Sequence, residues 1–222
     1  MTCKNCDPKI VKPAHLVEAS IDHMRCAICG EELYKMKDKR SVLESRWDSY
    51  FYQLCETVAS KSPCLSRKIG AILVKDHSIV STGYNGPPRG IPHCGLDRFM
   101  EDNFLFGTDF AESIDTDRMR RFRDECPRKV LGYESGAHME LCPAQHAEEN
   151  VVSNAARNGV SVLGTTLYMN SVIPCQKCYG TLINAGIREI VVEKAEVYDK
   201  HTQFLIDNSN IVIMEFSFGL FT

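Results

Sequence analysis

The sequence predicts an α/β layered fold behind a small cysteine-rich module. Three observations carry this. From residue 146 onward, helical and β-rich runs alternate regularly. Ahead of them, residues 69–85 read as two β-rich runs joined by a two-residue turn. Residues 1–33 hold too few apolar residues to fold unaided, yet carry four paired cysteines. The 222 residues suit one good-sized domain with an appendage. A composition 44% hydrophobic and 25% charged provides for an ordinary buried core.

In the first module, Cys3-x2-Cys6 and Cys26-x2-Cys29 are separated by 19 residues, and the second pair runs into Gly30. Two CxxC turns at this separation match a four-cysteine zinc site, with metal supplying the folding energy. The blander reading is four unrelated surface thiols. Residues 34–45, a charged stretch, read as a linker, and the main domain as 46–222. It opens with RWDSYFYQLCETVA, apolar at roughly helical spacing. IGAILVK and SIVSTGYN, separated by Asp76-His77, form a predicted hairpin, and GYNGPPRG a loop. Residues 95–135 read as an inserted irregular segment with one short helix near DTDRMRRF, long enough to be functional or disordered. Then come a helix from His146 to about Asn158, a strand at TTLYMN and a helix from Cys175 to near Gly186. A strand at REIVVE, a helix at KHTQFLIDN and a strand at IVIMEF complete the chain. There are no internal repeats and no low-complexity tract.

Composition narrows the function classes. A formal net charge of −3 argues against a general polyanion-binding surface. No apolar run approaches a membrane span, and MTCKNCDPKI lacks the apolar core of a secretory signal. Eleven cysteines therefore point to a reducing, cytoplasmic setting, where grouped thiols bind metal or act in catalysis.

The chemistry concentrates in CPAQHAEENVV and VIPCQKC. Pro174 suits the first position of a helix, which places Cys175 and Cys178 one turn apart at its positive end, where thiolates are favoured. A tetrahedral zinc needs two further ligands. His146 is the third. His146 and Glu148 share a site only if the helix is just starting there, because residues two apart on a regular helix point about 200° apart. A catalytic zinc keeps its last position for water, so Glu148 is expected off the metal, carrying protons. The alternative is a closed structural zinc with Glu148 on the surface. The pattern H-x-E…P-C-x-x-C is the signature of zinc deaminases.

SRKIGAILVKDHSIVSTGYNGPPRG, HAEENVV, PCQKCYGTLINAGIREIVV and VYD together resemble the deoxycytidylate (dCMP) deaminases, especially phage and bacterial ones, over residues 46–216. The resemblance implies a three-layer cytidine-deaminase-like fold, with a mixed five-stranded sheet between helices. It implies zinc-dependent hydrolysis of dCMP to dUMP and ammonia, feeding dTTP synthesis. His146, Cys175 and Cys178 would hold the zinc and Glu148 would shuttle the proton. Asn85 would contact bound nucleotide and Tyr198 would line the substrate pocket; the plainer readings are a turn asparagine and a core tyrosine. In regulated members the loop matching Gly83, Tyr84, Asn85 and Gly86 faces a site for dCTP or dTTP with Mg²⁺. Phage-type members also carry a second structural zinc, for which Cys64, Cys94, His138 and Cys142 are the matching residues and His93 and Cys126 the substitutes. His138 and Cys142, four apart, would be presented by one helical turn. The family suggests a homo-oligomer, a hexamer, and a small-molecule nucleotide as the partner. The N-terminal four-cysteine ribbon departs from the family's usual chain. Two other readings stand beside this one: a deaminase editing tRNA or single-stranded DNA with the ribbon as grip, favoured only by the basic run RMRRFR, and a non-catalytic binding module with a relic site.

Overall fold

The computed structural model describes residues 46–103, 116–134, 136–197 and 199–216 in full, and the backbone alone at 16–20, 23–26, 32–35 and 42–45. It divides into two compact units, Met1–Glu44 and Ser45–Thr222. The first contains an antiparallel three-stranded sheet in the order β1 (Leu16–Ser20), β2 (His23–Cys26), β3 (Glu32–Lys35). Cys26 ends β2, while Cys3, Cys6 and Cys29 lie outside the described residues. β3 runs two residues past the expected edge of the module.

The second unit is built on a five-stranded mixed sheet, as expected. Its strands are β4 (Gly70–Lys75), β5 (Ser78–Tyr84), β6 (Thr166–Val172), β7 (Glu189–Lys194) and β8 (Val212–Glu215), in the order β5-β4-β6-β7-β8. β4 pairs antiparallel with both β5 and β6; β6, β7 and β8 run parallel. The β4–β5 hairpin turns on Asp76 and His77, with φ of 50° and 59°. Two successive left-handed residues are the geometry that matches the natural twist of a two-residue hairpin, and Asp tolerates it.

Helix α1 (Val42–Ala59) covers one face of the sheet through Phe51 and Cys55, packed with Ile72, Val74, Tyr168 and Val191. It begins four residues earlier than the apolar spacing predicts, because Val42, Leu43, Glu44 and Ser45 are too short a run to display a helical period of their own. At Gly70 an added Cβ would sit 2.1 Å from the Cys55 carbonyl oxygen, so α1 rests directly on the strand backbone. The segment expected to hold one short helix carries α2 (Leu96–Glu101), α3 (Thr116–Arg121) and α4 (Pro127–Val130). A six-residue helix behind a glycine of φ 107° offers no period for a sequence to display.

The opposite face is covered by α5 (Ala147–Arg157) and α6 (Gln176–Asn184), with α7 (Lys200–Asp207) beside α6. Ala147, Val151, Tyr179 and Leu182 meet Ala71, Leu73, Leu167, Met169, Ile190 and Val192 there in a dry core. Among the described residues, no helix is long and apolar enough to cross a membrane.

Candidate active site

The two halves of the metal motif sit at two helix N-termini. His146 is the N-cap of α5 and Cys175 the N-cap of α6, both in extended backbone. Pro174 thus precedes the cap instead of opening the helix. It serves the same end, because the residue's fixed φ and missing N–H suit a chain about to enter a helix. His146 being a cap also settles how it shares a site with Glu148: its side chain is not bound to the helical 100° step.

His146 Nδ1 lies 3.6 Å from Cys175 Sγ and 3.3 Å from Cys178 Sγ. All three donor atoms fall within 4.8 Å of one another, the one such group of three among the described residues. Zinc–sulfur and zinc–nitrogen bonds of ordinary length at a tetrahedral angle place N and S about 3.5 Å apart. Two thiols and one imidazole at that spacing fit a zinc ion with one coordination position left over.

Electrostatics prepare the donors. The Cys178 thiol beside it holds the Cys175 thiol down to about 4, helped by the His146 ring and the Cys178 amide, against the cost of burial. Thiolate at Cys175 in turn raises His146 to about 9, with Glu148 and Glu149 adding their charge and burial opposing it. Cys178 is pushed up, first by its bond to Cys175 and then by burial. Glu148 is 5% exposed, and desolvation lifts its carboxyl above the ordinary range. A half-buried imidazole, a half-buried thiol that favours thiolate, a buried thiol and a buried carboxyl that resists ionisation therefore share one corner.

Two residues absent from the sequence reading shape this corner. Glu149 Oε2 accepts from the His146 amide at 3.0 Å, the half of a capping box in which the third helical residue reaches back to the cap. Its signal was a glutamate three residues after the cap. Asp199 caps α7, accepting from the Thr202 amide at 2.8 Å and its hydroxyl at 2.8 Å, and its Oδ2 lies 3.4 Å from the Gln176 amide. It thereby joins the start of α7 to the start of α6.

The GYNG turn lies against the same corner. Gly86 and Gln145 exchange backbone bonds of 3.1 and 2.9 Å, one residue before His146. At Gly83 an added Cβ would meet Val151 N at 2.4 Å, so this glycine lets β5 touch α5. Tyr84 is 40% exposed. Asn85 is buried, its side chain bonded to Ser62, Arg67 and Ile69. Tyr198 lies outside the described residues. At one end of the sheet is a cavity of about 370 Å³ whose lining includes Arg67, Lys68 and Lys194 as well as Glu193 and Glu196. Its Val172 wall is three residues before Cys175.

Cys64, Cys94, His138 and Cys142 do not draw together in this way. Cys94 lies near Cys142 and Cys126, and near the buried Arg98, whose guanidinium reaches Cys94 Sγ at 3.7 Å and the Leu141 carbonyl at 2.7 Å. Burial raises the Cys94 thiol. His138 and Cys142 flank a 3₁₀ turn, Met139–Leu141, instead of sharing an α-helical turn. His138 adopts φ 49°, stacks on Tyr133 at 3.8 Å and pairs with Glu140 at 2.8 Å.

A three-donor set of this composition beside a buried carboxyl could hold a zinc ion with one position open to water. The family model for the cytidine and deoxycytidylate deaminase zinc-binding region matches residues 45–194, and the chain belongs to that family. It is 35% identical to the deoxycytidylate deaminase of Enterobacteria phage T4 over 158 residues, covering 67% of this chain and 77% of the phage protein. Identity to the Saccharomyces cerevisiae deoxycytidylate deaminase is 30% over 184 residues, covering 83% of this chain and 49% of the yeast protein. The Schizosaccharomyces pombe enzyme is 28% identical, with 77% and 44% covered. The chain thus spans about half the length of these yeast relatives. The crystal structure of dCMP deaminase from cyanophage S-TIM5 in complex with dCMP and dUMP shares the fold. Its TM-score is 0.50 and its identity 20%, with 81% of this chain and 98% of that chain covered.

Proposed function

We propose that this protein hydrolyses dCMP to dUMP and ammonia. The observation that carries the reading is the convergence of His146 Nδ1, Cys175 Sγ and Cys178 Sγ beside a buried Glu148. Those three residues would hold zinc, which when bound supplies a Lewis acid that lowers the pKa of water to near 7. Glu148 moves the protons. Its carboxylate takes one from the attacking water and delivers it to N3 of the cytosine ring. It then takes the second proton of that water from the new C4 hydroxyl and delivers it to the exocyclic nitrogen as the C4–N bond breaks. Oxygen is left on C4 and ammonia departs. A carboxyl raised by burial suits both steps, because a carrier must accept and release within one turnover. A free nucleotide needs no unstacking, so a closed pocket suffices.

The reading extends to the rest of the chain. Tyr198 lines the substrate pocket. A regulatory dCTP or dTTP with Mg²⁺ sits at the Gly83–Gly86 turn, where Tyr84 is the exposed side chain. Cys3, Cys6, Cys26 and Cys29 hold a zinc in the N-terminal ribbon. A further structural zinc would require Cys64, Cys94, His138 and Cys142, which stand apart here, to converge, with Cys126 beside Cys94 as substitute. The protein works in the cytoplasm as a homo-oligomer. A net charge of −3 weighs against the nucleic-acid editing alternative.

An ammonia-release panel over dCMP, CMP, dCTP, deoxycytidine and a tRNA tests the proposal. Release from dCMP is expected. Release from tRNA without release from dCMP would overturn it.

A further inference from the structure

Resting on that reading of the site, we infer that Glu149 is a positioning residue for the metal: its carboxylate fixes the stretch of backbone from which His146 reaches the zinc. The adjacent glutamates of α5 have different tasks, because consecutive helical residues point about 100° apart. Glu148 is buried at the metal corner. Glu149, the third residue of α5, turns back along the chain, and its Oε2 accepts from the His146 amide at 3.0 Å. Glu149 is not among the three donors that lie within 4.8 Å of one another, so its hold on the metal runs through His146.

A capping box has two halves: the cap's side chain accepts from the third amide, and the third side chain accepts from the cap's amide. At α5 the cap is itself a metal donor. His146 Nδ1 faces Cys175 Sγ at 3.6 Å and Cys178 Sγ at 3.3 Å. A ring nitrogen has one lone pair, so an Nδ1 that binds zinc has nothing left to offer the third amide. The bond from Glu149 then holds the cap by itself. The backbone on either side is already tied to backbone. The Gln145 amide donates to the Gly86 carbonyl at 2.9 Å, and the His146 carbonyl accepts from the Asn150 amide at 3.0 Å. Between these, the His146 amide relies on a side chain. Removing that side chain leaves the amide to find another partner, and turning the cap to do so carries Nδ1 off the two sulfurs.

Zinc loss from this corner can be read without turnover. The zinc-loaded, full 222-residue chain is placed in excess EDTA, and the labelling of Cys175 and Cys178 by iodoacetamide is followed by peptide mass spectrometry. Glu149→Ala is expected to speed that labelling about tenfold or more, the usual cost of losing a group that orients a metal ligand. Glu149→Gln keeps an oxygen that accepts from His146, and its labelling is expected to stay within about threefold of wild type. Ser81→Ala controls for stability alone. It removes the 2.8 Å bond from Ser81 Oγ to the Val151 carbonyl of the same helix and leaves the cap intact, so it lowers Tm without speeding the labelling. Hydrogen exchange at the His146 amide accelerates in Glu149→Ala and not in Glu149→Gln. Wild-type labelling of Glu149→Ala would overturn the inference. Equal acceleration in Glu149→Gln would also overturn it, by showing that the charge acts and not the bond, as would equal acceleration in Ser81→Ala, by showing general loosening. If Glu149→Ala does not fold, Glu149→Asp, one methylene too short to reach back, carries the same expectations. Wild-type labelling that EDTA leaves unchanged would overturn both this inference and the zinc site. If the wild type binds zinc there but releases no ammonia from dCMP, the functional reading fails while labelling and exchange still decide the role of Glu149.

Discussion

Glu148 and Asp199 are both carboxylates near the metal corner, and their surroundings push them in opposite directions. Desolvation raises Glu148, which leaves it able to carry a proton. Glu148→Gln keeps the shape and removes the exchangeable carboxylate. We expect ammonia release from dCMP to fall by at least the ~10²–10⁴-fold typical of a lost proton carrier, with zinc retained, read by an ammonia assay and elemental analysis. Normal turnover by the variant would remove Glu148 from the mechanism. Asp199 goes the other way: desolvation pulls it up, but the amide and hydroxyl of Thr202 and the amide of Gln176 hold its carboxyl below the usual range. A carboxylate lowered in the folded state stabilises the fold above its unfolded pKa, and that stability is lost as pH falls through the folded value. Asp199→Ala is therefore expected to cost about 1 kcal/mol at neutral pH, the usual worth of an N-cap. The charge-dependent part of the difference should shrink below about pH 4, measured by urea unfolding at several pH values.

At the scale of elements, the close approach of β5 to α5 is what places His146 against the GYNG turn. It depends on Gly83, whose added Cβ would meet only backbone: Val151 N at 2.4 Å, its Cα at 2.7 Å and the Ala147 carbonyl at 2.8 Å. Nothing there is a flexible side chain that can step aside. Gly83→Ala is expected to destabilise by about 1–3 kcal/mol, as forced overpacking does, with a visible loss of Tm in a thermal scan. An unchanged Tm would mean that α5 rides further from the sheet. This is also the scale at which the sequence was most readable. Each of the five strands of the main sheet shows a β-rich run, and α5 and α6 start at a histidine and a cysteine marked by chemistry as well as by period. The helices α2 and α4 stayed hidden because six or four residues show no repeat, and the first turn of α1 because four residues are too few to show a helical period. Within the site, the ligand types and the proton carrier are legible from spacing. The use of Asn85 is not, because Ser62 and Ile69 become its partners only when β4 and β5 have paired.

For the whole molecule, the division at Glu44 separates two metal problems. His146, Cys175, Cys178 and Glu148 all belong to the unit from Ser45 onward, whose core is built from apolar layers on both sides of one sheet. That unit has enough buried surface to hold its site before metal arrives, with Cys175 already favouring thiolate. The first unit has a three-stranded sheet and four cysteines in CxxC pairs, and at 44 residues it is of a size that commonly needs a metal or other clamp. Zinc there would supply folding energy, whereas zinc at His146 would supply chemistry. The 222-residue chain is accordingly expected to carry about two to three zinc atoms by elemental analysis. The double variant Cys3→Ser/Cys6→Ser should lose about one of them. It should also expose the first unit to protease while still releasing ammonia from dCMP, because no ligand of the catalytic metal has been touched. A wild-type value near one zinc would leave only the catalytic site, and loss of turnover in the double variant would show that the first unit takes part in the reaction.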